Sequence, residues 1–253
     1  MSLAVFEETE KDIEQAYEQK SKTKIEKETS YVLSQIVVIL MSAFKDRLKR
    51  ITFDSRDIHF DEKFLFSDKN RLALLKWLRR LMTLEIPATD AEFGKLKLDL
   101  EQWYYQIGGK DITFDYVESY LLTTSETAEL LGVSTVTVNK YMKRGLEQVN
   151  TNSHNKIPKH VVPLWKDPVY SIKMQMLYQE KKIRNQSPEE RLKEVISELL
   201  DFQIKYEADT LEEAFPIVNG DDIDGLPDYY EWEALEEEYQ QLKKELYRKR
   251  KSE

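Results

Sequence analysis

The sequence predicts a mainly α protein, and three observations lead to that class. Gly and Pro number only 7 each in 253 residues, so few tight turns and little β structure are expected. Apolar residues recur at spacings of three and four over most of the chain. Several of those runs open on a helix start, most clearly Ser187-Pro188-Glu189-Glu190, with Ser at the cap, Pro at the first helical position and acids in the first turn. The length allows one large or two modest domains.

Residues 1 to about 30 are polar and heavily charged, with a thin apolar stripe of Val5, Ile13 and Tyr17; they read as a helix or as a partly ordered arm. Ser30 to Arg50 predicts a helix. Its apolar run, Tyr31 to Phe44, is interrupted by Ser34, Gln35 and Ser42 and falls short of the ~20 residues of a membrane span, so a buried core helix is expected. Ile51, Phe53, Ile58 and Phe60 alternate with polar residues and read as a short strand or an irregular connection. Ser67 or Asp68 caps a helix through Leu84, with Leu72, Leu75, Leu78, Leu81 and Met82 inward. Pro87, Thr89 and Asp90 mark a turn, after which Ala91 to Ile107 predicts a helix with Phe93, Leu96, Leu100, Trp103 and Tyr104 inward, ended by Gly108-Gly109. Residues 1–110 therefore read as a helical domain for dimerisation, partner binding or sensing, with Trp77, Trp103, Tyr104 and Tyr105 as packing residues.

Asp111 to Tyr120 reads as a connector, helical from Phe114 or Asp115. Leu121 to Trp165 then carries the densest set of signals. Thr123 with Glu126 fits a capping box. Ala128, Leu130 and Leu131 give an apolar face, and Gly132 stops the helix where the chain must turn sharply. Ser134 caps a second helix to Arg144, with Val138, Tyr141 and Met142 inward, and Gly145 ends it. Leu146 to Asn155 is a polar loop, Lys156 to Lys159 its return strand, and His160 to Trp165 a third short helix. The run Thr124-Ser125-Glu126, Ala128, Glu129 to Ser134, Thr137-Val138, Tyr141, Lys143-Arg144-Gly145 and Ile157-Pro158-Lys159 resembles the winged helix-turn-helix shared by MerR regulators and excisionase-type small DNA-binding proteins. The resemblance covers roughly residues 121–165 of 253, within a segment bounded at 111–166. It implies that the second helix enters the major groove of double-stranded DNA and that the wing touches the backbone or minor groove. By position, Thr135, Val136, Asn139 and Lys140 would face bases, and Lys143, Arg144, Lys156 and Lys159 would face phosphates. One departure is Val136, where such proteins often carry Arg; valine reaches a thymine methyl but makes no bidentate guanine contact.

Residues 167–215 follow as a helical packing or dimerisation region. In Pro168 to Asn185, Val169, Ile172, Met176 and Ile183 form a short coiled-coil-like seam. The resemblance implies a homodimer through this helix, with packing inside the chain as the other reading. Leu192, Val195, Ile196, Leu199, Phe202 and Tyr206 mark one face of the next helix. Residues 216–227, PIVNGDDIDGLP, read as an acidic linker; Asp222, Asp224, Gly225, Asp228 and Glu231 only partly fit a calcium loop, and no metal is expected. Residues 228–253 predict a last helix whose seam, Trp232, Leu235, Tyr239, Leu242 and Leu246, pairs copies as a coiled coil or docks on the chain's own core.

The net charge of −9 conceals a segregation: residues 134–186 hold 10 Lys and Arg against 3 acids, whereas residues 187–253 hold 20 acids against 9 bases. A basic segment inside an acidic chain is the footprint of a nucleic-acid site. There is no Cys, which rules out thiolate metal sites and disulfides and fits a cytoplasmic protein, and the N-terminus MSLAVFEETEKD shows no signal peptide. No phosphate-binding glycine loop, HExxH or nucleophile elbow is found, and His59, His154 and His160 lack ligand spacing, so neither an enzyme nor a cofactor is expected. For His154 and His160, in and beside the wing, a neutral or phosphate-facing role suffices. The expected function is DNA binding by a transcriptional regulator or excisionase-like factor. The alternative is a protein-interaction factor, antitoxin-like or a phage or plasmid accessory protein, whose acidic C-terminal region holds a protein partner.

Overall fold

A computed structural model of the chain describes residues 3–53, 58–150, 155–216 and 226–252. These are mainly helical, with two small antiparallel sheets. By packing they divide into two units, residues 1–179 and 180–253.

The first unit opens with α1 (Leu3–Glu18) and α2 (Lys22–Ala43). The N-terminal stretch is thus two helices rather than an arm, because Ile13, Ala16 and Ile25 find a core to enter. The helix expected over Ser30–Arg50 stops at Ala43: Phe44 is buried, the chain turns, and β1 (Leu48–Phe53) runs antiparallel to β2 (Ile112–Tyr116). The connector expected to be helical from Phe114 or Asp115 is therefore a strand. Ile112, Phe114 and Tyr116 point into the core in strict alternation, and Arg50 pairs with Asp115 across the ladder at 2.6 Å.

After α3 (Glu62–Leu65), α4 (Asp68–Met82) starts on Ser67, whose hydroxyl accepts the Asn70 N–H at 3.2 Å. Its inner face is Leu74, Leu75, Trp77, Leu78 and Leu81; Leu72, expected inward, is exposed. α5 (Asp90–Gln106) begins with a Thr89–Glu92 capping box and buries Phe93, Leu96, Leu100, Trp103 and Tyr104 as expected. Gly108 follows in the left-handed region at φ +105, where a Cβ would stand 2.2 Å from the His59 carbonyl oxygen.

A 3-10 turn (Glu118–Tyr120) leads to β3 (Leu121–Leu122), α6 (Thr124–Leu131), α7 (Thr135–Lys143), β4 (Val149–Asn150), β5 (Asn155–Pro158), α8 (Val161–Lys166) and α9 (Pro168–Asn185). The boundary expected between residues 110 and 111 is no break in packing: one buried core runs from Ile13 on α1 to Leu177 on α9. Gly94 on α5 lets α8 approach, since a Cβ there would lie 2.8 Å from the Leu164 side chain.

The second unit is a helical hairpin. α10 (Pro188–Tyr206) starts with a Ser187–Glu190 capping box, α11 (Leu211–Ala214) is a single turn, and α12 (Leu226–Ser252) returns along α10. The partners run in opposite directions: Arg191 with Glu238, Lys205 and Tyr206 with Asp228, and Glu189 with Lys249. The α12 seam therefore docks within the chain, with Trp232 and Leu235 buried and Trp232 stacked on Phe202 at 5.6 Å. Of the partial calcium loop, residues 217–225 lie outside the described residues, and Asp228 is engaged by Lys205 and Tyr206. Among the described residues no helix is long and apolar enough to cross a membrane, and no group of His, Cys, Asp and Glu could hold a metal ion.

A buried polar cluster holds α1, α3, α4 and α5 together. Trp103 Nε1 donates to Asn70 Oδ1 at 3.1 Å, Asn70 Nδ2 donates to Tyr17 Oη at 2.9 Å, and Tyr17 Oη donates to the Leu65 carbonyl at 2.8 Å. Asn70→Leu fills the same space but strips the indole N–H of its acceptor. It is expected to lower the unfolding free energy by about 1–3 kcal/mol, read by urea denaturation followed through tryptophan fluorescence.

Candidate nucleic-acid interface

The helix-turn-helix is assembled from its caps. Thr123 N–H donates to the Glu126 carboxylate at 2.7 Å, and Glu126 N–H donates back to the Thr123 hydroxyl at 3.2 Å. Gly132 ends α6 at φ 70, and Val133 N–H donates to the Ala128 carbonyl at 3.0 Å. Ser134 accepts the Thr137 N–H at 3.1 Å and starts α7. β4 and β5 form the wing hairpin, and β3 adds to its other edge in the order β3-β5-β4. The wing tip, with His154, lies outside the described residues.

α7 buries Val138 and Met142, and Tyr141 lies on Trp165 of α8 with ring centroids 5.2 Å apart. On α6, Ala128 is buried as expected, Leu130, expected inward, is exposed, and Thr127 is buried beside Ala128. The face of α7 turned to solvent carries all four residues expected at bases: Thr135, Val136, Asn139 and Lys140 are exposed, Val136 by 63%. Lys143 and Arg144 continue that face. None of Lys140, Lys143 and Arg144 has an ion-pair partner among the described residues. Of the wing cations, Lys159 is half-buried at the end of β5, and Lys156 departs from expectation because its ammonium is held by Glu118. The hydrogen bond and charge of Lys156 keep the Glu118 carboxyl below its ordinary range.

Beneath this surface is a set of residues that sequence reasoning missed. Glu147, on the segment from α7 to the wing, accepts from Lys97 Nζ at 2.7 Å, from Tyr116 Oη at 2.6 Å and from His160 Nε2 at 3.3 Å. Lys97 also pairs with Glu101 at 3.1 Å. His160 does not face a phosphate. It is buried, stacked on Tyr120 at 6.0 Å and edge-on to Phe93 at 5.1 Å. Burial pushes the imidazole pKa below its usual value despite the adjacent carboxylate. Burial opposes the Glu147 charge, but Lys97 and His160 outweigh it and hold that carboxyl well below the usual range. No local signal could have found this set, since Lys97, Tyr116 and His160 are brought to Glu147 across separations of 50, 31 and 13 residues.

Comparisons of the chain with protein-family models, with curated proteins and with solved structures return no match.

What the arrangement offers is a polar helix face, its cations without ion-pair partners among the described residues, on a support held by buried hydrogen bonds. That support is sensitive to acid in a defined direction. His160 binds its proton less readily folded than unfolded, so its contribution to stability is intact above about pH 6.5, the ordinary imidazole value, and declines as pH falls below it. The thermal midpoint is expected to drop between about pH 7.5 and 5.5, and His160→Gln should flatten that drop, as differential scanning fluorimetry across pH would read.

Proposed function

We propose that the chain binds double-stranded DNA through α7 and the wing, as a transcriptional regulator or excisionase-like architectural factor, and that it acts as a dimer. One observation carries this reading: Thr135, Val136 and Asn139 are presented outward in one face with the cations of Lys140, Lys143 and Arg144, which have no ion-pair partner among the described residues. Thr and Asn side chains offer donors and acceptors to base edges, Val136 offers an apolar contact to a thymine methyl, and the cations neutralise phosphates and release counterions. The sequence resemblance of residues 121–165 points the same way.

The test is selection from random duplexes followed by gel shift at several salt concentrations. Lys140→Ala with Lys143→Ala is expected to abolish binding at moderate salt and to reduce the slope of log affinity against log salt by about 1 per lysine. Asn139→Ala should relax the selected sequence at one position at a cost of about 1–3 kcal/mol. Unchanged duplex binding by the double variant would remove α7 as the binding face. Failure of the unaltered protein to retain any duplex would remove the DNA reading.

A further inference from the structure

The second unit carries an apolar row that its own fold leaves outside. On α10, Ile196, Leu200 and Ile204 are 47%, 52% and 67% exposed, while Val195 is fully buried. At the helical period the three share one stripe, which continues to Lys193 at one end; at the other, Glu207, seven residues from Leu200, caps the helix in the left-handed region at φ 50. The uncharged Ser197 and Gln203 flank it. Apolar rows of this kind on a soluble surface mark contact sites.

Reversed about Leu200, the row is its own complement. Ile196 and Ile204 exchange places, and so do Lys193 and Glu207. A two-fold axis at Leu200 would lay leucine on leucine, isoleucine on isoleucine, and the Lys193 ammonium against the Glu207 carboxylate at both ends. A parallel arrangement would set lysine on lysine and glutamate on glutamate. Neither Lys193 nor Glu207 has an ion-pair partner among the described residues. We propose that α10 is the surface through which two copies of this chain associate, antiparallel and centred on Leu200. α12 lies along the Arg191 and Val195 side of α10, away from the row, so each copy brings a hairpin and the pair makes a four-helix assembly with the two α10 helices innermost. The row is ~21 Å long at the helical rise, which puts the contact at the small end of stable interfaces and makes the dimer reversible with concentration.

The seam of α9 lacks this symmetry. Val169, Ile172, Met176 and Ile183 are exposed, but reversed about Met176 they set Ile172 against Glu180, whose carboxylate is engaged by Arg184 at 2.7 Å. The proposal thus assigns the dimer to a different helix from the one the sequence resemblance implies, and it stands independently of DNA binding.

The experiment is sedimentation velocity on the full chain without DNA, from about 1 to 100 µM, with far-UV circular dichroism as a check on folding. A concentration-dependent dimer is expected. Leu200→Lys should be monomeric throughout. Lys193→Glu and Glu207→Lys should each weaken association by about tenfold through like-charge contacts, and the double exchange should restore it. Ile172→Glu should leave it unchanged. A monomer at every concentration, a dimer indifferent to Leu200→Lys, failure of the double exchange to recover association, or loss of the dimer in Ile172→Glu would each overturn the proposal. So would a monomer that binds a different protein through the same row.

Discussion

The first unit depends on a carboxylate in a poor place for one. Glu147 is largely, though not wholly, withdrawn from water, its side chain 24% exposed, and its charge survives because Lys97, Tyr116 and His160 all donate to it. Those three come from α5, from β2 and from the start of α8, so a single carboxylate ties the N-terminal helices, the two-stranded sheet and the winged segment together. A buried ion pair contributes little net stability compared with an apolar replacement, but breaking one partner away leaves a charge stranded at several kcal/mol. The arrangement therefore specifies position more than it adds strength. It holds the segment between α7 and the wing in one orientation, and the outward face of α7 follows from that.

Charge is distributed between the two units with opposite effects. The segment around α7 is basic and the second unit strongly acidic, although the chain as a whole is acidic. The outward surfaces differ accordingly. The α7 face is polar and cationic and suits a long-range attraction that salt weakens. The α10 row is apolar with one charge at each end and suits a short-range contact whose end charges select direction. Placing the two kinds of surface on separate elements lets each be altered without disturbing the other.

Much of the helical plan was legible because its signals are local. The starts at Ser67, Thr89, Thr123, Ser134 and Ser187 and the stops at Gly108 and Gly132 each depend on residues within one turn. The α7 face was readable for the same reason. What escaped was non-local. β1 and β2 pair residues 59 to 68 apart, so no local signal marks Leu48–Phe53 as one strand rather than the end of a helix and a connection. Leu72 and Leu130 are exposed although their spacing fits an apolar stripe, because only the tertiary neighbours decide how wide the buried face is: they take Leu74 in place of Leu72 and bury Ala128 but not Leu130. His160 gave no hint of its depth, since its partners are distributed over three other elements. The seam of α9 was read correctly as apolar, but periodicity alone does not say what a stripe faces.

The capping boxes at α5, α6 and α10 have a common chemistry. In each, a glutamate accepts the backbone N–H of the cap residue, and those hydrogen bonds hold Glu92, Glu126 and Glu190 below their ordinary pKa. A carboxyl of this kind supports its helix above the ordinary carboxylate pKa and lets go as pH falls through its own lowered value. Strong acid would thus fray three separate helices from the same end, the N-terminal one, including the first helix of the DNA-binding candidate and the helix proposed to pair the copies.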